Sequence, residues 1–217
     1  MWLVVVNPKA GLGAAASLAT QVVGFLQSRD SSYRMISPNS AAETKTLTRE
    51  ALQNGQVTKL LSVGGDGLFH LLLQLAIEFK VPLAIAPGGT GNDFYRTLGW
   101  FDHELSDYLE HLISTEPTLV DIGVADGEYF GAVLSSGFDS VVNERANKLK
   151  WPKGPAKYNA AIALEFPKFN AIDFKIFADE KVLEVEAMLI AIGNGQSYGG
   201  GMRVCPDADL HDGLLDI

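Results

Sequence analysis

The sequence predicts a parallel α/β domain followed by an antiparallel β domain, and three observations point there. Short apolar runs alternate with helix-length amphipathic segments through the first half, and a glycine-rich turn follows three of those runs. After Asp121 the texture changes to short strands joined by turn signals such as Asp126-Gly127 and Asp179-Glu180.

Trp2–Val6 is a buried strand stopped by Asn7-Pro8, Leu12–Gln27 a helix, Tyr33–Ile36 a strand, and Ala41–Asn54 a helix ended by Gly55. Lys59–Val63 is a strand, Leu68–Phe79 a helix, Pro82–Ala86 a strand, and His103–Ser114 an amphipathic helix before Pro117. Such alternation places a parallel sheet between two helical layers. Beyond it, Tyr129–Ser135, Phe174–Ala178, Lys181–Glu186 and Ala187–Ile192 read as strands, interrupted by one helical stretch at about Gly137–Phe166. The boundary is expected near Thr115–Asp121, dividing the chain into 1–120 and 121–217.

Composition narrows the function classes. The 217 residues carry 17 basic and 26 acidic side chains, a net charge of −9, and 47% are hydrophobic, which excludes a disordered chain. Both halves are acidic, with 8 basic against 11 acidic residues in 1–120 and 9 against 15 in 121–217, which argues against nucleic acid as a partner. Cys205 stands alone, which excludes an intramolecular disulfide framework and fits a reducing, cytoplasmic setting. Met1 leads into an apolar run with no basic segment before it, so a strand is expected there rather than a signal peptide. No stretch of about 20 apolar residues is evident, so no membrane span is expected, and lipid chemistry would be done from the membrane surface.

Three turns carry the chemistry: Asn7-Pro8-Lys9-Ala10-Gly11-Leu12-Gly13, Gly64-Gly65-Asp66-Gly67, and Pro87-Gly88-Gly89-Thr90-Gly91-Asn92-Asp93. In a parallel sheet they share the carboxyl edge, where ligands bind, and glycines there let backbone N–H groups approach phosphate oxygens. The plainer alternative is that each glycine only permits a tight turn. No G-x-x-x-x-G-K-[ST] occurs, and no G-x-G-x-x-G opens a helix, since Ala16 stands where the third glycine would be. A carboxylate among phosphate-binding glycines suits a divalent cation or the activation of a hydroxyl, so Asp66, expected on a solvent-facing turn, points to phosphoryl transfer.

With these motifs the sequence resembles the diacylglycerol kinase catalytic-domain family, which includes bacterial lipid kinases, sphingosine kinases and ceramide kinases. The matching residues are N-P-x-[AS]-G at Asn7–Gly11, G-G-D-G at Gly64–Gly67, and P-x-G-T-x-N-D-F at Pro87–Phe94 continuing to Arg96. Asp121-Ile122-Gly123, Ser136-Gly137-Phe138-Asp139, Gly193-Asn194, Gly199-Gly200-Gly201-Met202, and Pro206 with Asp212-Gly213-Leu214-Leu215-Asp216 follow in the family's order. The resemblance implies a nucleotide-binding domain like that of NAD kinases and phosphofructokinases, followed by a β-sandwich that takes the lipid. It implies an ATP-dependent lipid kinase acting on a diacylglycerol-like hydroxyl; an NAD-kinase-like enzyme, or a nucleotide- or lipid-binding relative without turnover, is the alternative. Asp66 would act on the Mg–ATP phosphates or the acceptor hydroxyl, supported by Asp93, with Asn7, Gly11, Gly64, Gly65, Gly67, Thr90 and Asn92 around the nucleotide.

The resemblance also implies a structural Mg²⁺ held by the carbonyls of Asp209 and Leu214 with Asp212, and linked through water to Asp121; a plain Asp-Gly hairpin is the alternative for Asp212. Two departures stand out. Leu71 replaces a usual glutamate and Leu72-Leu73-Gln74-Leu75 a usual V-V-N-G. Relatives continue past the position of Ile217 with strands that close the sandwich and with a further glutamate, so the sandwich is expected to be incomplete at its C-terminus, in a shortened relative or a fragment.

The other titratable candidates are weaker. His70 is expected to be a packing or solvent residue, and His103, His111 and His211 have no metal or triad spacing. Ser136 near Asp139 has no base in reach. Arg145, Lys148, Lys150, Lys153 and Lys157, five of the 17 basic residues, fall within 13 positions together with Trp151, the only concentrated positive stretch. Peripheral docking at the inner face of a membrane is one reading of it, and a solvated loop is the other.

Overall fold

The first strand, β1 (Trp2–Val6), is buried along its whole length in the computed structural model, which describes residues 1–152 and 155–217. It is followed by α1 (Ala14–Ser28), β2 (Tyr33–Ile36), α2 (Ala41–Gln53), β3 (Lys59–Gly64), α3 (Asp66–Phe79) and β4 (Leu83–Pro87). The four strands form one parallel sheet in the order β2-β1-β3-β4, in which Trp2 pairs with Tyr33 on one side and Lys59 on the other. Alternation along β1 explains the two helical layers. Leu3 and Val5 join Leu60 and residues of α2 and α3 in one cluster, while Trp2, Val4 and Val6 join Ala19, Val22 and Leu26 of α1 in the other.

Two short helices complete this part, α4 (Asp93–Thr97) and α5 (Leu105–Ser114). The expected start of the first helix at Leu12 is corrected to Ala14. Gly11 and Leu12 both have left-handed backbone and Gly13 a φ of 100°, so the 3-10 turn Ala10–Gly13 breaks the run. By length and composition alone Ala10–Ser28 qualifies to cross a membrane, which the sequence reading missed. The 3-10 turn breaks its start, and Ala15, Ala19, Val22 and Leu26 are buried while most of the rest is exposed, so α1 packs on the sheet by one face.

The second half begins with the hairpin β5 (Gly123–Ala125) and β6 (Glu128–Phe130), then β7 (Val133–Gly137). The expected single strand Tyr129–Ser135 is thus two strands. They break at Gly131, where a Cβ would lie 2.9 Å from the Phe69 ring and 3.0 Å from that of Phe94. The expected long helix is likewise two, α6 (Phe138–Lys148) and α7 (Pro155–Glu165), packed around Val142, Ala146 and Ala161. The hairpin β8 (Ile172–Ala178) and β9 (Lys181–Ala187) turns at Asp179, and β10 (Leu189–Gly193) pairs with β7. A small ladder of β11 (Ser197–Tyr198) and β12 (Met202–Arg203) follows.

The chain packs as two compact units, residues 1–133 with 193–215, and residues 134–192 with 216–217. The expected boundary near Thr115–Asp121 falls within the first of these units. After Gly193 the chain returns to the first unit: the Asn194 and Gly195 N–H groups both donate to the Ala132 carbonyl at 2.8 Å, and Leu210 packs with Phe69, Ile85 and Phe94.

Candidate functional site

The three glycine turns meet at the carboxyl edge of the sheet, and they meet backbone to backbone. A Cβ on Gly11 would lie 2.5 Å from the Gly88 carbonyl oxygen, one on Gly88 3.3 Å from the Gly64 Cα, and one on Gly89 2.4 Å from the Gly65 Cα. These glycines are therefore required by the packing of the turns on one another, a firmer reason than freedom to turn. Gly67 differs: it is exposed, and nothing lies within 4 Å of where its Cβ would stand.

Asp66 opens α3, with Gly65 as the N-cap, so its carboxylate stands at the positive end of a 14-residue helix. It is half-buried, which corrects the expected solvent-facing turn, because the Pro87–Asp93 turn folds over it. Its Oδ2 accepts the Asn92 N–H at 2.8 Å, and a Cβ on Gly91 would lie 2.8 Å from that oxygen and 3.2 Å from Asp93 Oδ2. Burial, followed by the charge of Asp93, pushes the Asp66 carboxyl above its ordinary value, against a downward pull from the backbone N–H groups of Asn92, Phe94 and Asp93.

Asp93 is buried at the head of α4 and gripped by the returning chain: Gly200 N–H donates to Oδ2 at 2.9 Å, Gly201 N–H to Oδ1 at 2.7 Å, and Ser197 Oγ to Oδ1 at 3.4 Å. Sequence reasoning missed these three residues as part of the site. The available signal was the run Gly199-Gly200-Gly201, whose φ angles of 65°, 90° and 103° turn successive N–H groups inward.

Of the residues expected around a nucleotide, Gly11, Gly64, Gly65, Gly67, Thr90 and Asn92 lie on these converging turns, and Thr90 is exposed. Asn7 begins the first turn, where its Oδ1 accepts the Lys9 N–H at 3.2 Å. The Asn92 side chain is committed elsewhere: its Nδ2 donates to the Gly89 carbonyl at 2.9 Å and its Oδ1 accepts the Gly89 N–H at 3.0 Å, so it clamps the turn. Arg96, from the same motif, stacks on the Phe101 ring at 3.3 Å.

The expected cation positions are brought together in part. Asp121 Oδ2 accepts the Gly213 N–H at 2.7 Å, beside Asp212, whose Oδ1 accepts the Leu214 N–H at 2.9 Å. The Asp209 carboxylate turns to His211, accepting its N–H at 3.0 Å. Among the described residues no group of three or more His, Cys, Asp or Glu stands ready for a metal.

Of the four histidines, His211 meets Asp209 and the other three have partners elsewhere. His70 lies 3.8 Å from Glu128, while His103 and His111 pack on Trp100. In the basic stretch, Arg145 pairs with Glu165 and Lys148 with Glu144, leaving Lys150 and an 81% exposed Trp151 prominent; Lys153 lies outside the described residues.

Comparison with known proteins fits this geometry. Residues 1–125 match the diacylglycerol kinase catalytic domain, and residues 132–217 the YegS C-terminal NAD kinase beta sandwich-like domain. The chain belongs to the diacylglycerol kinase catalytic-domain family. It is 33% identical to a diacylglycerol kinase of Mycobacterium tuberculosis over 217 residues, covering 97% of this chain and 70% of that protein. A protein of Chromohalobacter salexigens described as a probable lipid kinase YegS-like is 32% identical over 176 residues, covering 79% of this chain and 56% of the relative. A crystal structure of a diacylglycerol kinase from Bacillus anthracis str. Sterne superposes with a TM-score of 0.74 at 26% identity, covering 99% of this chain and 73% of the other. The fold is thus a parallel α/β domain followed by an NAD-kinase-like β-sandwich domain, in a chain shorter than these family members.

Proposed function

We propose that this family member is an ATP-dependent lipid kinase that transfers the γ-phosphoryl group to the hydroxyl of a diacylglycerol-like lipid. The observation that carries the reading is Asp66: a half-buried carboxylate at a helix head, among three turns that bare their backbone, beside a second carboxylate gripped by three donors. A carboxyl held above its ordinary value is suited to accept a proton from an attacking hydroxyl near neutral pH. The glycine turns suit an anionic ligand, since Gly67 leaves open space at the positive end of α3.

In this reading Asn7, Gly11, Gly64, Gly65, Gly67 and Thr90 face the nucleotide, Asn92 fixes the shape of its turn, and Asp93 fixes the returning glycine turn beside Asp66. ATP supplies the phosphoryl group when bound. Asp212 and the carbonyls of Asp209 and Leu214, with Asp121 linked through water, would hold a structural Mg²⁺, an all-oxygen set of the kind a hard cation takes. A peripheral position at the inner face of a membrane is supported by Lys150 and Trp151, with Lys157 further along.

Incubation with ATP and diacylglycerol, sphingosine or NAD in parallel tests the reading. Phosphorylated diacylglycerol, lost in Asp66→Asn, is expected. Phosphorylated NAD alone would turn the assignment to a nucleoside acceptor, and ATP binding without any product would make the chain a binding module. The cation assignment predicts that Mg²⁺ alone raises the melting temperature and that Asp212→Ala abolishes the rise. An unchanged melting curve with chelator leaves Asp212 as a hairpin turn.

A further inference from the structure

A phosphate brought up to Asp66 and Asp93 meets two like charges, so a cation is needed there, and it is useful only if no carboxylate of the chain has already taken it. Arg96, on the short helix that Asp93 opens, lies in that place. Its Nε donates to the Gly91 carbonyl at 3.4 Å, and a Cβ on Gly201 would lie 3.5 Å from the same nitrogen and 3.6 Å from Cζ. Gly91 is the residue whose Cβ position lies 2.8 Å from Asp66 Oδ2, and Gly201 the one whose N–H holds Asp93. The guanidinium thus lies against both turns that pack on the two carboxylates.

Yet among the described residues Arg96 forms no ion pair with either acid, and its Nη nitrogens, which carry most of an arginine's donors, make no hydrogen bond. One ring accounts for this. The Arg96 Cζ lies 3.3 Å from the centroid of Phe101, where the face of the ring attracts the cation. Phe101 is itself 41% exposed and belongs to none of the hydrophobic clusters of the first unit, so core packing does not call for an aromatic residue at this position.

We propose that Phe101 is a positioning residue: its ring holds the Arg96 guanidinium against the Gly91 and Gly201 turns and off Asp66 and Asp93, with the Nη groups open to the phosphate oxygens of the nucleotide. This rests on the ATP-dependent kinase reading above and gives it a residue outside the glycine turns. A guanidinium presents its donors as a planar fork, so losing its orientation weakens phosphate binding even though the charge remains.

The test is a double-variant cycle of Phe101→Leu, which keeps an apolar side chain without a π face, and Arg96→Gln, with Phe101→Tyr as the conservative replacement. ATP affinity is measured by calorimetry, turnover on diacylglycerol beside it, and melting temperature as a control. Phe101→Leu is expected to weaken ATP binding about fivefold and to lower turnover at least as much, whereas Phe101→Tyr stays within about twofold of the wild type and neither variant melts lower. In the Arg96→Gln background Phe101→Leu is expected to have no further effect, because the ring acts through the guanidinium. Unchanged ATP affinity in Phe101→Leu overturns the assignment, as does an equal loss with and without Arg96, or a tyrosine variant as weak as the leucine one. A wild type that binds ATP through this pair but phosphorylates no lipid keeps Phe101 in its role and defeats the lipid-kinase reading instead, and a wild type that binds no ATP defeats both.

Discussion

Asp66 titrates higher in the native state than in the unfolded chain, where its ordinary value is 3.8. Between those two values the native state holds more of the proton, so this group makes stability fall as pH rises through the window. Asp66→Asn is therefore expected to melt at or above the wild type at pH 7, with the gain closing as pH drops below 3.8, while phosphoryl transfer falls by about 10²- to 10⁴-fold. Melting curves across pH check the first part, and a clear loss of stability at pH 7 would show that the carboxylate is needed by the fold. The neighbouring glycines separate packing from ligand space. Gly89→Ala puts a Cβ 2.4 Å from the Gly65 backbone and is expected to destabilise by about 1–3 kcal/mol in chemical denaturation. Gly67→Ala meets nothing within 4 Å and lies in the first turn of α3, so it is expected to gain up to about 1 kcal/mol and still lose nucleotide affinity.

At the scale of elements, one side chain ties α3 to the second half of the first unit. Gln74 Nε2 donates to the Tyr129 carbonyl at 2.8 Å and Oε1 accepts the Tyr129 N–H at 3.0 Å, so the amide pairs with β6 much as another strand would. Gln74→Ala is expected to cost about 1–3 kcal/mol, because it strips a backbone pair of both partners. This contact falls where the sequence looked aberrant, at Leu72-Leu73-Gln74-Leu75, and it could not be read there because its partner lies 55 positions away. The parallel strands and their helices were legible, since their apolar periods and glycine stops act locally: Trp2–Val6 and Tyr33–Ile36 stand as expected. The convergence of the three turns was legible too, from the topology of a parallel sheet. The grip on Asp93 was not, because its donors lie 104 to 108 positions later and belong to a segment that returns across the expected boundary.

Across the whole molecule, order is unevenly supported. β1 and β3 lie inside the sheet with both faces covered, whereas the β8–β9 hairpin leaves Phe177 71% exposed and Val182, Leu183 and Val185 also uncovered. A two-stranded hairpin with so little packing is marginal, so its amides are expected to exchange with solvent at least about 100-fold faster than those of β1 and β3 in hydrogen-exchange mass spectrometry. The return of residues 193–215 to the first unit also bears on how the protein ages. Asn-Gly pairs deamidate when the glycine nitrogen attacks the asparagine side-chain carbonyl, and the chain has two, Asn54-Gly55 on the exposed end of α2 and Asn194-Gly195 in the interior. Asn194 is 1% exposed, its Nδ2 donates to the Asp121 and Gly131 carbonyls, and the Gly195 nitrogen is engaged with Ala132. Deamidation at 194 thus requires the returning segment to let go, so the ratio of aspartate at 194 to aspartate at 54 in stored protein becomes a chemical clock for how often that segment opens.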